Sequence, residues 1–161
     1  KRRGFMEAIS LVGKTVQAIW TFEPSAVHPA WVNELTTPVA VSMAFLELSA
    51  GEFVQVSPCE VDLPGQKYPV LGIVLERCTS GALVTVLPGQ RRIEAKRLVE
   101  AAEIQPFPVL EIEQSDPLHE GAVSQYRLLG PNAKFITLRH IMPPMTLGID
   151  LGVQSSSVIR P

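Results

Sequence analysis

Val39-Ala40-Val41-Ser42-Met43-Ala44-Phe45-Leu46-Glu47-Leu48 is followed by Ser49-Ala50-Gly51 and then by Glu52-Phe53-Val54-Gln55-Val56-Ser57. The first run predicts one strand over 39–48, with Val41, Met43, Phe45 and Glu47 on one side. Ser49 to Gly51 makes a tight turn, and 52–57 runs back with Phe53 and Gln55 alternating against Val54 and Val56. Two apolar-periodic runs separated by a short glycine-containing loop predict an antiparallel hairpin.

Working outward, Thr15 to Phe22 alternates as a strand, although both of its faces are partly apolar. Pro29 with Trp31 and Leu35 predicts one or two helical turns over 28–35. Tyr68 to Glu76 is so apolar that it predicts a central strand buried on both faces. Pro64-Gly65, Thr79-Ser80-Gly81 and Pro88-Gly89 punctuate the chain, with a strand over 82–87 between the last two. Ile93, Leu98, Val99 and Ala102 fall roughly on one helical face, so a short helix is expected near 91–103, with a strand through 92–98 as its competitor. Further strands are expected over 109–114, 122–129, 134–139 and 146–151.

The second half echoes the first. Phe45-Leu46-Glu47-Leu48, a turn and Glu52-Phe53-Val54-Gln55-Val56 align with Tyr126-Arg127-Leu128-Leu129, a turn and Lys134-Phe135-Ile136-Thr137-Leu138. Downstream, Leu71-Gly72-Ile73-Val74-Leu75 aligns with Leu147-Gly148-Ile149-Asp150-Leu151. One such unit buries too little apolar area to stand alone. The expected fold is therefore mainly β: two related antiparallel units, near 14–87 and 108–152, packed as a pseudo-two-fold pair. They share one domain spanning 1–161, with 88–107 as a bridge; the helix near 91–103 leaves α+β open. Gly72 and Gly148 inside strands predict bulges or close backbone approaches.

Composition agrees with this class. Apolar residues make up 46% and charged residues 19%, enough to fill a core and too apolar for a disordered chain. Fourteen prolines and eleven glycines suit short strands and turns rather than a helical bundle. A net charge of −2 gives no electrostatic footprint for nucleic acid. No apolar run is long enough for a membrane helix, and Glu7, Ser10, Lys14 and Gln17 interrupt any signal-peptide core. Met6 is a candidate native start. Cys59 and Cys78 read as reduced thiols, with a single disulfide as the alternative. A cytoplasmic, bacterial protein is the expectation.

No phosphate loop, nucleophile elbow or zinc spacing occurs, and neither a cofactor nor a metal is expected. Asp116, His119 and Glu120 place an imidazole between two carboxylates on one loop, as a general base or a polar binding loop would need. His140 reads as a strand-end cap. Glu111 and Glu113 point the same way on a strand, so their face should meet water or a basic partner. Tyr126, with Trp31 and Tyr68, is a candidate anchor for such a surface. Arg91, Arg92, Lys96 and Arg97 read as a solvated helix face. The expected function is a non-enzymatic protein-binding module whose site comprises Glu111, Glu113, Asp116, His119, Glu120 and Tyr126. Its partner would be another protein, a basic one if it meets the acidic face, with a homodimer as a further option. Its profile (small, slightly acidic, free of catalytic motifs) is that of an inhibitor or immunity-type protein, a likeness of profile alone. The alternative is a small-molecule binder or hydrolase-like enzyme with the His119 loop in a cleft between the repeats.

Overall fold

The computed structural model describes residues 11–22, 39–98, 101, 105–115, 118, 121–142 and 144–153. The expected helical turns over 28–35 lie outside these residues. In chain order the strands are β1 Thr15–Val16, β2 Ala18–Thr21, β3 Val39–Val41, β4 Ala44–Glu47, β5 Phe53–Val61, β6 Val70–Cys78 and β7 Val84–Leu87. There follow β8 Arg91–Glu94, β9 Lys96–Arg97, β10 Phe107–Pro108, β11 Glu111–Gln114, β12 Gln125–Leu129, β13 Lys134–Ile141 and β14 Thr146–Val153. Helical structure among the described residues is confined to short 3-10 turns, so the protein is mainly β.

Two five-stranded antiparallel sheets carry the fold. The first has the order β6-β5-β4-β2-β9 and the second β11-β12-β13-β14-β3. Their inner rows share one core: Ile19, Leu46 and Val54 from the first sheet, and Leu128, Ile136 and Ile149 from the second, are all fully buried. Such rows arise because side chains alternate across a strand, and each fully buried aliphatic contributes about 1.5–3 kcal/mol. The sheets are joined at their margins. The pair β1–β10 links the start of β2 to the start of β11. On the opposite side, Ile73 and Val123 exchange backbone hydrogen bonds of 2.7 and 3.1 Å.

Several elements differ from expectation. The run 39–48 is two strands, because the chain breaks at Ser42-Met43: β3 pairs with β14 in the second sheet while β4 stays in the first. The run 15–22 breaks likewise at Gln17. Strands that change sheets at a bend are how a closed β core turns its corners. The apolar β6 is an edge strand rather than a central one, and its edge is met by Val123. An added Cβ on Gly72 would lie 3.2 Å from the Val123 carbonyl oxygen and 2.8 Å from Leu118 Cδ1, so this glycine admits the close approach.

The expected helix near 91–103 is not formed over its described part, which holds β8 and β9. Turn chemistry decides against it. Leu87-Pro88-Gly89-Gln90 closes with the Gln90 N–H on the Leu87 carbonyl at 2.9 Å, and Gly89 lies at φ 85. Proline second and a left-handed glycine third define a type II turn. It sets Leu87 opposite Arg91 and Thr85 opposite Ile93, and the following residues alternate with period two.

The two hairpins β4–β5 and β12–β13 share one turn. Ala50 and Asn132 lie at φ 62, ψ 31 and φ 60, ψ 34. The Leu48 N–H donates to the Glu52 carbonyl at 2.7 Å, as the Gly130 N–H does to Lys134 at 2.9 Å. Leu48 thus answers Gly130, and Ala44 rather than Phe45 answers Tyr126, one residue away from the sequence alignment. Downstream, Val56 pairs with Leu75 and Leu138 with Ile149, so Gly72 answers Thr146 and not Gly148. These likenesses are local to hairpin and pairing; they do not establish a two-fold relation between whole units.

Candidate functional site

The outer face of the first sheet is apolar as well as the inner one. Directly opposed residues of an antiparallel pair share a face, and Trp20–Phe45 and Phe45–Gln55 are such pairs. Phe45 and Phe53 are buried there, with Trp20, Phe22, Met43, Cys78, Ala82 and Leu83 packed against them. Phe22 meets Phe45 edge-on, with centroids 5.7 Å apart and an interplanar angle of 82°. The covering is supplied by the chain leaving β6, through a 3-10 turn at Ser80–Leu83, into the β7–β8 hairpin. The Ala95 N–H donates to the Leu83 carbonyl at 2.7 Å and closes the base of this hairpin.

The cover is incomplete. Between sheet and hairpin lies a cleft of about 560 Å³, within the usual size range of ligand sites. Phe45 and Gln55 belong to the sheet, Phe22, Ser42 and Met43 to its neighbouring chain, and Ala82, Val84, Thr85, Leu87 and Ile93 to the hairpin side. Ser42 and Met43 are the residues at which β3 departs for the other sheet, so the bend opens the space. The polar groups in the lining are few: the Ser42 and Thr85 hydroxyls and the Gln55 amide, whose Nε2 donates to Ser57 Oγ at 2.9 Å. Such a lining offers shape and a small number of hydrogen bonds to a mostly apolar group. Near it, burial, with the Glu76 charge second, pushes the Cys78 thiol above the ordinary thiol range.

The residues expected to form the site are placed as follows. Glu111 and Glu113 are exposed on β11, an edge strand of the second sheet. Glu113 stands opposite Arg127, and Glu111 opposite Leu129. Charges on an edge strand also keep other strands from adding to it. Tyr126 is 4% exposed in the common core, which removes it as a surface anchor; its place on the inner row of β12 is the cause. Asp116, His119 and Glu120 lie outside the described residues. Tyr68 is 70% exposed, with the Lys67 ammonium 5.5 Å from its ring centroid.

His140 fastens the two sheets. Its Nδ1 lies 3.1 Å from the Cys59 carbonyl and 2.9 Å from the Gly72 carbonyl, both in the first sheet. Its Nε2 accepts the Met145 N–H at 2.6 Å, which fixes the Nδ1–H tautomer. This is a structural role at a strand end. Cys59 and Cys78 are free thiols. They sit opposite Gly72 and Phe53 respectively, too far along the β5–β6 ladder to bridge. Among the described residues no group of three His, Cys, Asp or Glu side chains could hold a metal ion, and no helix is long and apolar enough to cross a membrane.

No family model, curated protein or solved structure matches this chain. The cleft was not foreseen in the sequence. Its signal is the unbroken apolar run Ala44-Phe45-Leu46, which furnishes both faces of β4 where one would suffice for the core.

Proposed function

We propose that the chain is a non-enzymatic binding module that receives an apolar side chain of a partner protein in the cleft between the first sheet and the β7–β8 hairpin. The observation that supports this reading is the cleft itself: concave, apolar, of ligand size, and walled by an element that does not contribute to the inter-sheet core. Buried apolar anchors in well-shaped pockets dominate the energetics of protein interfaces. The acidic face of β11 carries the reading less well, because the chain's own Arg127 stands opposite Glu113.

Thr85 supplies the test. It is exposed yet lines the cleft, so Thr85→Trp fills the space without entering the core. Partner capture from the native cell by the wild-type chain should fall roughly tenfold or more in the variant, a loss of about 1.4 kcal/mol or greater. The denaturation midpoint should stay within the small range of surface substitutions. Equal capture by both chains would remove the cleft as the binding site.

A further inference from the structure

The hairpin that walls the cleft and the strand β9 that follows it are the basic part of an acidic chain. The hairpin carries Arg91 and Arg92 against Glu94, and β9 adds Lys96 and Arg97, a net +3 over 84–97 within a chain whose total is −2. The register directs part of this charge at the cleft. Thr85 is opposite Ile93 and Leu87 opposite Arg91, so these four share one face of the hairpin. Thr85, Leu87 and Ile93 line the cleft, joined by Val84 at the base of the hairpin; by register exposed Arg91 shares the row of the first three, at the rim beside the turn rather than in the lining itself. Arg97, opposite Trp20 on the outer sheet face, stacks its guanidinium 5.3 Å from the indole centroid.

Of the other charges near the cleft, several have a fixed place. Arg92 and Glu94 point to the far face of the hairpin, with Nε and Oε2 3.5 Å apart, an exposed pair of little energetic weight. On the sheet, Glu47 accepts the Trp20 Nε1–H at 2.8 Å, and Glu76 stands opposite Gln55. On the hairpin side the charge turned toward the cleft is that of Arg91, which makes no ion pair among the described residues.

We infer that the cleft takes an acidic segment of the partner: a large apolar side chain seated against Phe45 and Ile93, with a neighbouring carboxylate reaching Arg91. This rests on the binding reading above and adds the partner's chemistry to it. A guanidinium suits the second half of the task, because its planar fork meets a carboxylate with two parallel hydrogen bonds. A cationic wall beside an apolar cleft also steers acidic partners and rejects basic ones.

A phage-displayed library of random dodecapeptides, panned on the full chain and on its Thr85→Trp and Arg91→Glu variants, tests both layers. The expected pool is recovered by the wild type over Thr85→Trp and pairs Phe, Leu or Trp with adjacent Asp or Glu. A peptide from that pool should bind roughly tenfold more weakly to Arg91→Glu, and weaken as salt is raised from low to physiological strength. Exchange of its acidic residues for Lys should abolish binding. Cleft-dependent peptides without acidic enrichment, or an affinity unmoved by Arg91→Glu, would overturn the acidic-partner inference and leave the cleft standing. A library that cannot tell the wild type from Thr85→Trp would overturn the cleft reading itself.

Discussion

The hairpins β4–β5 and β12–β13 follow the same turn and the same pairing, yet they dress their outer faces in opposite ways. Where the first sheet presents Phe45, Phe53 and Gln55, the answering positions of the second are Arg127, Phe135 and Thr137. On the second sheet the charges find partners within the sheet: the Arg127 guanidinium lies 4.7 Å from the Phe135 ring centroid, and Arg139 Nη2 bonds Asp150 Oδ2 at 3.1 Å. Among the described residues the first sheet closes its outer face this way only around Trp20, which bonds Glu47 at 2.8 Å and carries the Arg97 guanidinium on its ring; Phe45 and Phe53 lack such a partner. These two side chains need a cover from elsewhere, and the β7–β8 hairpin covers them only in part. One backbone thus supports a face that is self-sufficient and a face that keeps room for something else. A site can be recognised as the place where two like frameworks diverge in chemistry.

The contrast is sharpest if the inner rows are truly alike. Leu46→Ala and Leu128→Ala, at answering positions that are both fully buried, should each cost about 2–5 kcal/mol in denaturant unfolding. A large loss from one and almost none from the other would mean that the two sheets do not share the core equally.

A smaller effect separates the outer faces. The Arg139 and Asp150 side chains are 22% and 14% exposed, so Asp150→Ala leaves a largely covered guanidinium without its carboxylate and should cost about 1–3 kcal/mol. Joint replacement, Arg139→Met with Asp150→Leu, should recover most of that loss, since breaking a covered pair costs more than replacing it. If the single variant is no worse than the double, side-chain pairing is not what closes the second face.

On the edge of the same sheet, Glu111→Lys with Glu113→Lys should move stability by no more than about 0.5 kcal/mol and leave cleft binding unchanged. Loss of cleft-dependent peptides in this double variant would shift the site toward β11.

The smallest effect concerns Cys78, packed in the outer cluster with Phe45 and Phe53. Burial favours its neutral thiol in the folded state, so the associated stability is fully present below the ordinary thiol pKa and is lost as pH rises through the raised folded value. Alkylation of Cys78 in the native chain should therefore lag behind that of the unfolded chain and set in at higher pH. Cys78→Ser should flatten the alkaline fall in stability. Equal alkylation profiles in native and unfolded chains would show that this cluster leaves the thiol open to water.

Much of this architecture was legible in the residues. The alternations around Val54 and Ile136 and the Gly-containing turns located most strands, though not their order in the sheets. What could not be read was the point at which a strand changes sheets. Ser42 and Gln17 are exposed polar residues between buried apolar ones, which is also what an unbroken alternating strand would show, so neither marks a corner. The run at 91–103 misled because Leu98 and Ala102, four apart, satisfy helical spacing, while Pro88-Gly89 commits the chain to a tight reversal. Gly72 and Gly148 suggested a register two residues out, a slip that keeps every side chain on its face and so leaves no trace in hydrophobicity. The acidic strand was visible, and Glu111 and Glu113 are exposed on it; the cleft was hidden because it depends on a hairpin whose second strand falls in the segment expected as a helix.

The short strand β3 carries a last implication for how the chain comes into being. Residues 39–41 leave an early segment to complete a sheet whose other four strands lie beyond residue 110, and β9 reaches back to complete the sheet of the early strands. During synthesis the first sheet has all its strands once Arg97 has emerged, but the second cannot be finished before β14, so β3 waits with its backbone groups unmatched. Pairings between such distant stretches slow folding and leave partly built intermediates exposed. A ribosome-bound chain halted after residue 98 should thus remain a client of chaperones, released only when Thr146 to Val153 arrive to claim β3.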